Sequence, residues 1–271
     1  MIGAALGASG AALQGLLRNP LAEPGLLGTS ASAGLGAVLA LYYGWAAVFP
    51  LALPIAAIST SAVGTLVLLL AAGWRAGSLT LILAGIAVSS LTLALTALAM
   101  NLASDPFAMG EMVLWLMGSL KDRSLEDVAL AAPFVATGLV LLHGSGRGLD
   151  ALTLGEDAAA SLGIDMLRLR CRVVLGSALA VGAAVAVAGT VGFVGLIVPH
   201  LLRPLVRHYP SALLLPSALG GALLVTVADI AVRLIPARNE LMLGVLTSLV
   251  GTPFFLFLIF KEAPHDRSLC E

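Results

Sequence analysis

Charge is the scarcest property of this chain. Only 11% of its 271 residues are Asp, Glu, Lys or Arg, where a soluble domain carries about a quarter. Apolar residue types make up 59% and the mean hydropathy is +1.05. No soluble core of this length hides so much apolar surface, so the solvent for most of the chain is lipid. A net charge of −1 excludes a broad electrostatic case for nucleic acid. The two cysteines, Cys171 among Arg168, Arg170 and Arg172 and Cys270 beside the last residue, have neither metal nor disulfide spacing. No G-x-x-x-x-G-K-[ST] phosphate loop occurs. Gly144-Ser145-Gly146-Arg147-Gly148 is rich in glycine but lacks the Lys-Ser/Thr pair, and reads as a flexible turn. No cluster of His, Cys, Asp and Glu has metal spacing, and no Ser-His-Asp arrangement can be argued. The chain is therefore expected to be no enzyme by itself, to need no cofactor, and to draw energy from a partner or an ion gradient. Met1 opens directly into Ile2-Gly3-Ala4-Ala5-Leu6 without a basic region, so no cleavable signal is visible.

What the chain has is long apolar runs. A spanning helix needs about 20 mostly apolar residues. Nine candidates follow, at 1–17, 30–49, 51–73, 79–102, 128–143, 173–189, 193–206, 213–235 and 241–260, the first and seventh short. The fold class is all-α, a polytopic integral membrane helical bundle forming a single domain. Cytoplasmic loops hold the excess of Lys and Arg. Placing the end of the first span inside leaves only Lys121, Arg123, Arg233 and Arg238 of the 14 basic residues outside. The C-terminus is then cytoplasmic and Met1 outer. Gly3-xxx-Gly7 and Ala4-xxx-Ala8-xxx-Ala12 form a smooth stripe of the kind that lets helices approach closely.

The most informative stretch interrupts an apolar run with Gly189, Gly192 and Gly195 and closes on Pro199-His200. It is either a turn between two ordinary spans or a broken helix. Broken helices survive in membranes where they are buried in protein or line a water-filled cavity. Two loops are long enough to fold. The outer one, 104–127, starts a helix at Asp105-Pro106. Met109, Met112, Val113 and Leu116 suit an interfacial helix, Trp115 suits the headgroup boundary, and Ser124 with Asp127 resembles a weakened capping box. The inner one, 148–170, breaks at Leu154-Gly155, has helix formers from Glu156 to Leu162, and stops at Gly163. Charges inside spans are functional suspects. Asp229 and Arg233, four apart, suit a structural pair better than a proton relay, and His200 suits a bond to neighbouring backbone better than a ligand role.

Gly192-Phe193-Val194-Gly195-Leu196-Ile197-Val198-Pro199-His200 closely resembles a signature of the FecCD-type permeases. So do the block from Gly15 to Gly28, Leu83 to Ala87, Trp115 to Leu120, Ala228-Asp229 with Arg233, and Gly251 to Phe255, in the same order. These permeases are the membrane subunits of ABC importers for iron chelates, haem and cobalamin. The resemblance implies a homodimer or paired similar subunits, two cytoplasmic ATPases, a periplasmic or lipid-anchored binding protein, and an iron(III)-siderophore or related chelate as substrate, in the inner membrane. It implies ATPase coupling through Leu154, Gly155, Glu156, Ala158, Leu162 and Gly163. It implies a pathway near Ser89, Ser90, Thr92, Thr247, Ser248 and Thr252, and binding-protein docking at Arg233, to which Arg238 is added as a neighbour. Family members have ten spans. The first is missing here, and the small-residue stripe is expected to face lipid for want of it, with a further apolar stretch encoded upstream. The rival reading is an ion-coupled secondary transporter using Asp229 and His200; a third is an assembly subunit with no pathway.

Overall fold

The computed structural model describes residues 1–49, 51–73, 77–206, 208–235 and 241–262, with side chains to Phe257. Among them no strand occurs. The helices are α1 (Ile2–Leu17), α2 (Thr29–Tyr42), α3 (Trp45–Val48), α4 (Ala52–Ala72), α5 (Ser78–Leu102), α6 (Pro106–Leu116), α7 (Leu125–His143), α8 (Gly146–Leu152), α9 (Glu156–Ser161), α10 (Met166–Ala188), α11 (Val194–Leu202), α12 (Pro210–Leu234) and α13 (Leu243–Glu262). Single 3₁₀ turns occur at Pro24–Leu27 and Arg203–Val206.

All nine predicted spans are helical, but they are not equivalent. Five helices, α4, α5, α7, α10 and α12, are long and apolar enough to cross a membrane. α1 and α2 are apolar but shorter. The predicted span 30–49 is cut at Gly44, whose φ of +69° ends α2 and starts the short α3. Burial sorts the five. α10 is 78% buried over its most apolar stretch, while the other four are 22–28% buried. α10 is therefore enclosed by protein, and α4, α5, α7 and α12 present most of their surface to the outside of the chain.

α1 is the second inner helix, with only the occasional side chain reaching the surface. Its small residues are what allow this. A Cβ added at Gly3 would collide with the Gly221 carbonyl of α12, and one at Gly7 with the Ser217 carbonyl. The stripe expected to face lipid is thus covered by α12 from within the chain. Side-chain-free contact of this kind is how helices associate where lipid removes the hydrophobic drive between them.

Side-chain bonds fix several of the links between helices. Asp105 Oδ1 accepts from Phe107 N at 2.9 Å and starts α6. Ser124 and Asp127 form a full capping box for α7, Asp127 N donating to Ser124 Oγ at 3.1 Å and Ser124 N to Asp127 Oδ2 at 2.8 Å. The glycine-rich stretch 144–148 is not a flexible turn. Gly146 and Gly148 are buried in the first turn of α8, against Ser211 and Leu169 respectively. Asp150 Oδ1 then accepts from Ser211 N at 2.8 Å, fastening α8 to the start of α12.

Candidate translocation and coupling sites

The interrupted stretch is a real break. α10 stops at Ala188, Gly189 takes φ +71°, and Phe193 takes a left-handed φ of +66° before α11 begins. α11 has nine residues, a rise of about 14 Å. The predicted seventh span is therefore a half-helix with a 3₁₀ extension, not a full crossing.

A break in lipid must place its freed backbone groups elsewhere, and here three segments share them. Ser119 N donates to Ala188 O at 2.7 Å, Leu243 N to Gly118 O at 2.9 Å, and Gly244 N to Met117 O at 3.1 Å. Thr190 Oγ1 donates to Leu116 O. The end of α6, the break and the start of α13 are thereby laced together. Trp115 belongs to this lacing: it packs half-buried against the main core.

The C-terminal end of the break is braced from α1. Pro199 has no N–H, so the Gly195 carbonyl four residues earlier has no helical donor. Gln14 Nε2 lies 3.4 Å from both Gly195 O and Leu196 O and donates to them. Its Oε1 in turn accepts from Arg203 Nη2. Gly10 makes room, since a Cβ there would strike the Gly195 carbonyl. Glu23, in the link between α1 and α2, accepts from the Phe193 backbone; burial raises its carboxyl above the ordinary value more than that bond lowers it. The His200 ring meets Phe254 of α13 edge-on, centroids 6.3 Å apart.

Beside the lacing lies an open cleft of about 730 Å³, bordered by Met117, Thr190, Gly192, Ser248, Thr252 and Pro253. Two predicted pathway residues, Ser248 and Thr252, line it together with Gly192 of the break. Thr247 does not. It is buried, bonds to Gly244 O at 3.1 Å, and borders an apolar cavity of about 420 Å³ among α11, α12 and α13. Ser89, Ser90 and Thr92 lie apart on α5. Ser89 Oγ donates to Gly25 O at 3.4 Å, Thr92 is buried with its hydroxyl on Val88 O at 2.8 Å, and Ser90 is exposed.

The α9 loop has a different character. Gly155 at φ +106° and Gly163 at φ +83° bracket α9, with no heavy atom within 4 Å of either Cβ position. Ala159 is fully buried and Ala158 half-buried. Leu154 and Leu162 are 69% and 63% exposed. Glu156 does not face outward: its Oε2 lies 2.7 Å from Arg170 Nη2 of α10. At the other end of the bundle Asp229 Oδ2 pairs with Arg233 Nε at 2.9 Å. Arg238 lies outside the described residues.

Gln14, Glu23, Arg170 and Arg203 were not singled out from sequence. A signal existed for Gln14, the one strongly polar side chain of its span. Asking where the Gly195 carbonyl goes, once Pro199 has removed its donor, points to the need for it.

Apolar helices packed around a laced break, with a short helix held out on two glycines, define a polytopic α-helical membrane protein. Residues 1–261 match the FecCD transport family. The chain is 42% identical to the vitamin B12 import system permease protein BtuC of Vibrio cholerae, covering 98% of this chain and 80% of that protein. It is 38% identical to the hemin transport system permease protein HmuU of Yersinia pestis, covering 97% and 79%. It is 37% identical to the uncharacterized ABC transporter permease protein YvrB of Bacillus subtilis, covering 99% and 77%. A solved inward-facing structure of a metal-chelate type ABC transporter superposes with a TM-score of 0.87 at 32% identity, over 96% of this chain and 84% of that one. The chain belongs to the FecCD transport family.

Proposed function

We propose that this chain is the membrane permease subunit of an ABC importer for a bulky metal chelate, an iron(III)-siderophore, haem or a cobalamin. It sits in the cytoplasmic membrane with its C-terminus inside, pairs with a second copy or a similar subunit, and contributes no ATPase site. A binding protein delivers the chelate to the outer face, where Arg233 and Arg238 meet it, and the 104–127 loop lies on that side. The cleft bordered by Thr190, Ser248 and Thr252 is its share of the pathway; Ser89 and Ser90 belong to the same pathway once two subunits face each other.

One observation carries the reading. The α9 loop leaves two leucines exposed on either side of a six-residue helix, on what the proposed orientation makes the cytoplasmic side. Burying a leucine side chain is worth about 1.5–3 kcal/mol, so this loop is shaped for a partner, and a cytoplasmic ATPase is the partner that drives import. The ion-coupled alternative is weaker, because the Asp229 carboxylate is taken by Arg233 of its own helix. The test is co-purification. Leu154→Asp with Leu162→Asp inserts normally but retains less than about a tenth of the ATPase, each lost contact being worth roughly tenfold. Retention at wild-type yield refutes the docking role. Uptake of labelled chelates by cells with and without this gene then identifies the substrate.

A further inference from the structure

The apolar cavity beside Thr247 owes its existence to the break. It measures about 420 Å³ and lies among α11, α12 and α13. α11 has nine residues beside 25 in α12 and 20 in α13, and is too short to fill the space between them. Leu224, Val227, Ala228 and Ala231 of α12 line that space, at the i, i+3, i+4, i+7 spacing of one helix face. Leu246, Val250 and Phe254 line it from α13, again on one face.

Only an apolar occupant suits it. Among the described residues no charged side chain lines the cavity. Thr247 gives its hydroxyl to Gly244 O at 3.1 Å, and the Phe193 amide goes to Glu23. A water needs about two to four polar partners, whereas an apolar cavity takes an apolar guest. A void of this size would also deprive its walls of dispersion contacts.

The mouth shows which apolar group arrives. Leu201, Val227 and Val250 border the cavity and are each more than half exposed. Val227 belongs to a column along α12, Leu215, Leu219, Leu223, Val227, Ile230 and Leu234, all more than half exposed. Helices that associate within lipid approach through small residues. α12 spends its glycines inward: a Cβ at Gly221 would strike the Gly3 carbonyl of α1, and one at Gly220 the Leu202 and Val198 side chains of α11. The side on which the cavity opens is large and aliphatic, a surface suited to hydrocarbon chains and not to a second helix.

We propose that this cavity holds one acyl chain of a membrane phospholipid. The chain enters between α12 and α13. α13 turns Ser248 and Thr252 to the cleft and Leu246 and Val250 to the cavity, so the lipid chain is the packing behind the cleft wall. The binding rests on the fold alone; its bearing on transport rests on the pathway proposed above.

The test uses the full chain in phosphatidylcholine nanodiscs. Native mass spectrometry after release into mild detergent counts retained phospholipid and reads the oligomeric state. Wild type is expected to keep one phospholipid. Ala231→Phe fills the cavity from α12 and is expected to lower the retained fraction about tenfold, the equivalent of a few buried methylenes. Leu224→Ala enlarges the cavity and is expected to keep the lipid, which a general packing defect would not allow. Leu219→Phe, on the same column but outside the cavity, is expected to behave as wild type. With a diazirine on the acyl chain, irradiation is expected to label Ile197, which is buried in the cavity wall. Melting midpoints verify that the variants fold, and the labelling of wild type needs no variant. No phospholipid kept by wild type, equal retention by a folded Ala231→Phe, or an unlabelled Ile197 overturns the site. A dimer that Ala231→Phe splits without loss of lipid gives the cavity to a second copy and overturns it too. Retention is read without the ATPase, so a negative result leaves the importer reading intact, and failed ATPase docking leaves this site intact.

Discussion

The break at Gly189 and the loop around Gly155 use the same residue type for two different reasons. Both glycines have backbone that other residues adopt only with strain, φ +71° and ψ −167° at Gly189, φ +106° and ψ 160° at Gly155. At Gly189 a Cβ would also strike the Trp115 carbonyl and the Gly118 backbone, whereas at Gly155 it meets nothing within 4 Å. One glycine supplies conformation and space, the other conformation alone. The lesson is that the break is built into the packed interior, while the loop is built to stand off from it. A broken helix that is laced to two neighbours moves only with them. A helix standing on two glycines can be moved by whatever grips it.

Alanine at each position separates the two. Gly189→Ala carries backbone strain of about 1–3 kcal/mol plus an overpacking cost of about 1–3 kcal/mol. That is a large share of a typical stability margin, so the variant is expected to lose most of its monodisperse yield in detergent. Gly155→Ala carries the strain term alone, in a segment with few neighbours, and is expected to keep its yield with a midpoint only a few degrees lower. Equal losses in size-exclusion profiles and melting curves would erase the distinction.

The next largest effect concerns the brace from α1. Gln14→Leu leaves the Gly195 carbonyl with neither a helical donor nor a side-chain one, at a cost of about 1–3 kcal/mol for a buried unsatisfied group. Pro199→Ala returns the missing N–H to α11. Combining the two is expected to recover part of the loss, an interaction of at least about 0.5 kcal/mol in a double-mutant cycle. Strict additivity would mean that Gln14 acts through Arg203 alone.

The loop has its own, weaker brace. Glu156 is 40% and Arg170 12% exposed at the side chain, so water screens the pair and its worth is at most about 1 kcal/mol. Glu156→Ala is expected to leave the global melting midpoint unchanged and to speed proteolysis between Thr153 and Gly163. Unchanged cleavage would show that Ala159 packing, not the ion pair, holds α9.

How much of this was legible in the sequence divides along the same line. Much that is set by neighbours in the chain was: most of the long helices, the Asp105 and Ser124–Asp127 caps, an interruption at Gly189 and the α9 loop with its two glycines, though not the cut at Gly44 or the helix α8. These depend on local backbone chemistry and on periods that a sequence displays. What failed depends on partners far along the chain. Gln14 meets Gly195 and Arg203 across more than 180 positions, and Glu156 meets Arg170 across a helix start; neither pairing leaves a spacing to read. Trp115 gave no sign in the sequence of its packing against the core beside the break. The stripe on α1 was read as demanding a neighbour and, for want of a further span, as facing lipid; α12 covers it, a pairing more than 200 positions away that no spacing displays.

The smallest expected effect is a pH dependence at the junction of break and link. Glu23 is half-buried, and burial holds its carboxyl above the ordinary 4.5, against the lowering contribution of the Phe193 amide bond. An acid whose pKa is raised on folding is protonated more readily in the folded state than in the unfolded one. Its favourable contribution is therefore complete below about 4.5 and is lost as pH rises through the raised value. Glu23→Gln keeps an oxygen to accept from Phe193 N and cannot ionise. Its stability relative to wild type is expected to grow as pH rises from 4.5 through the raised value and then to level off. Melting midpoints of the two proteins from pH 4.5 to 8 test this, and curves that stay parallel throughout would show that Glu23 is not desolvated in the folded chain. Glu23→Ala, which removes the acceptor as well, is expected to fall below Glu23→Gln at every pH, since the Phe193 amide then has no partner on the α1–α2 link and the break loses one of its two braces.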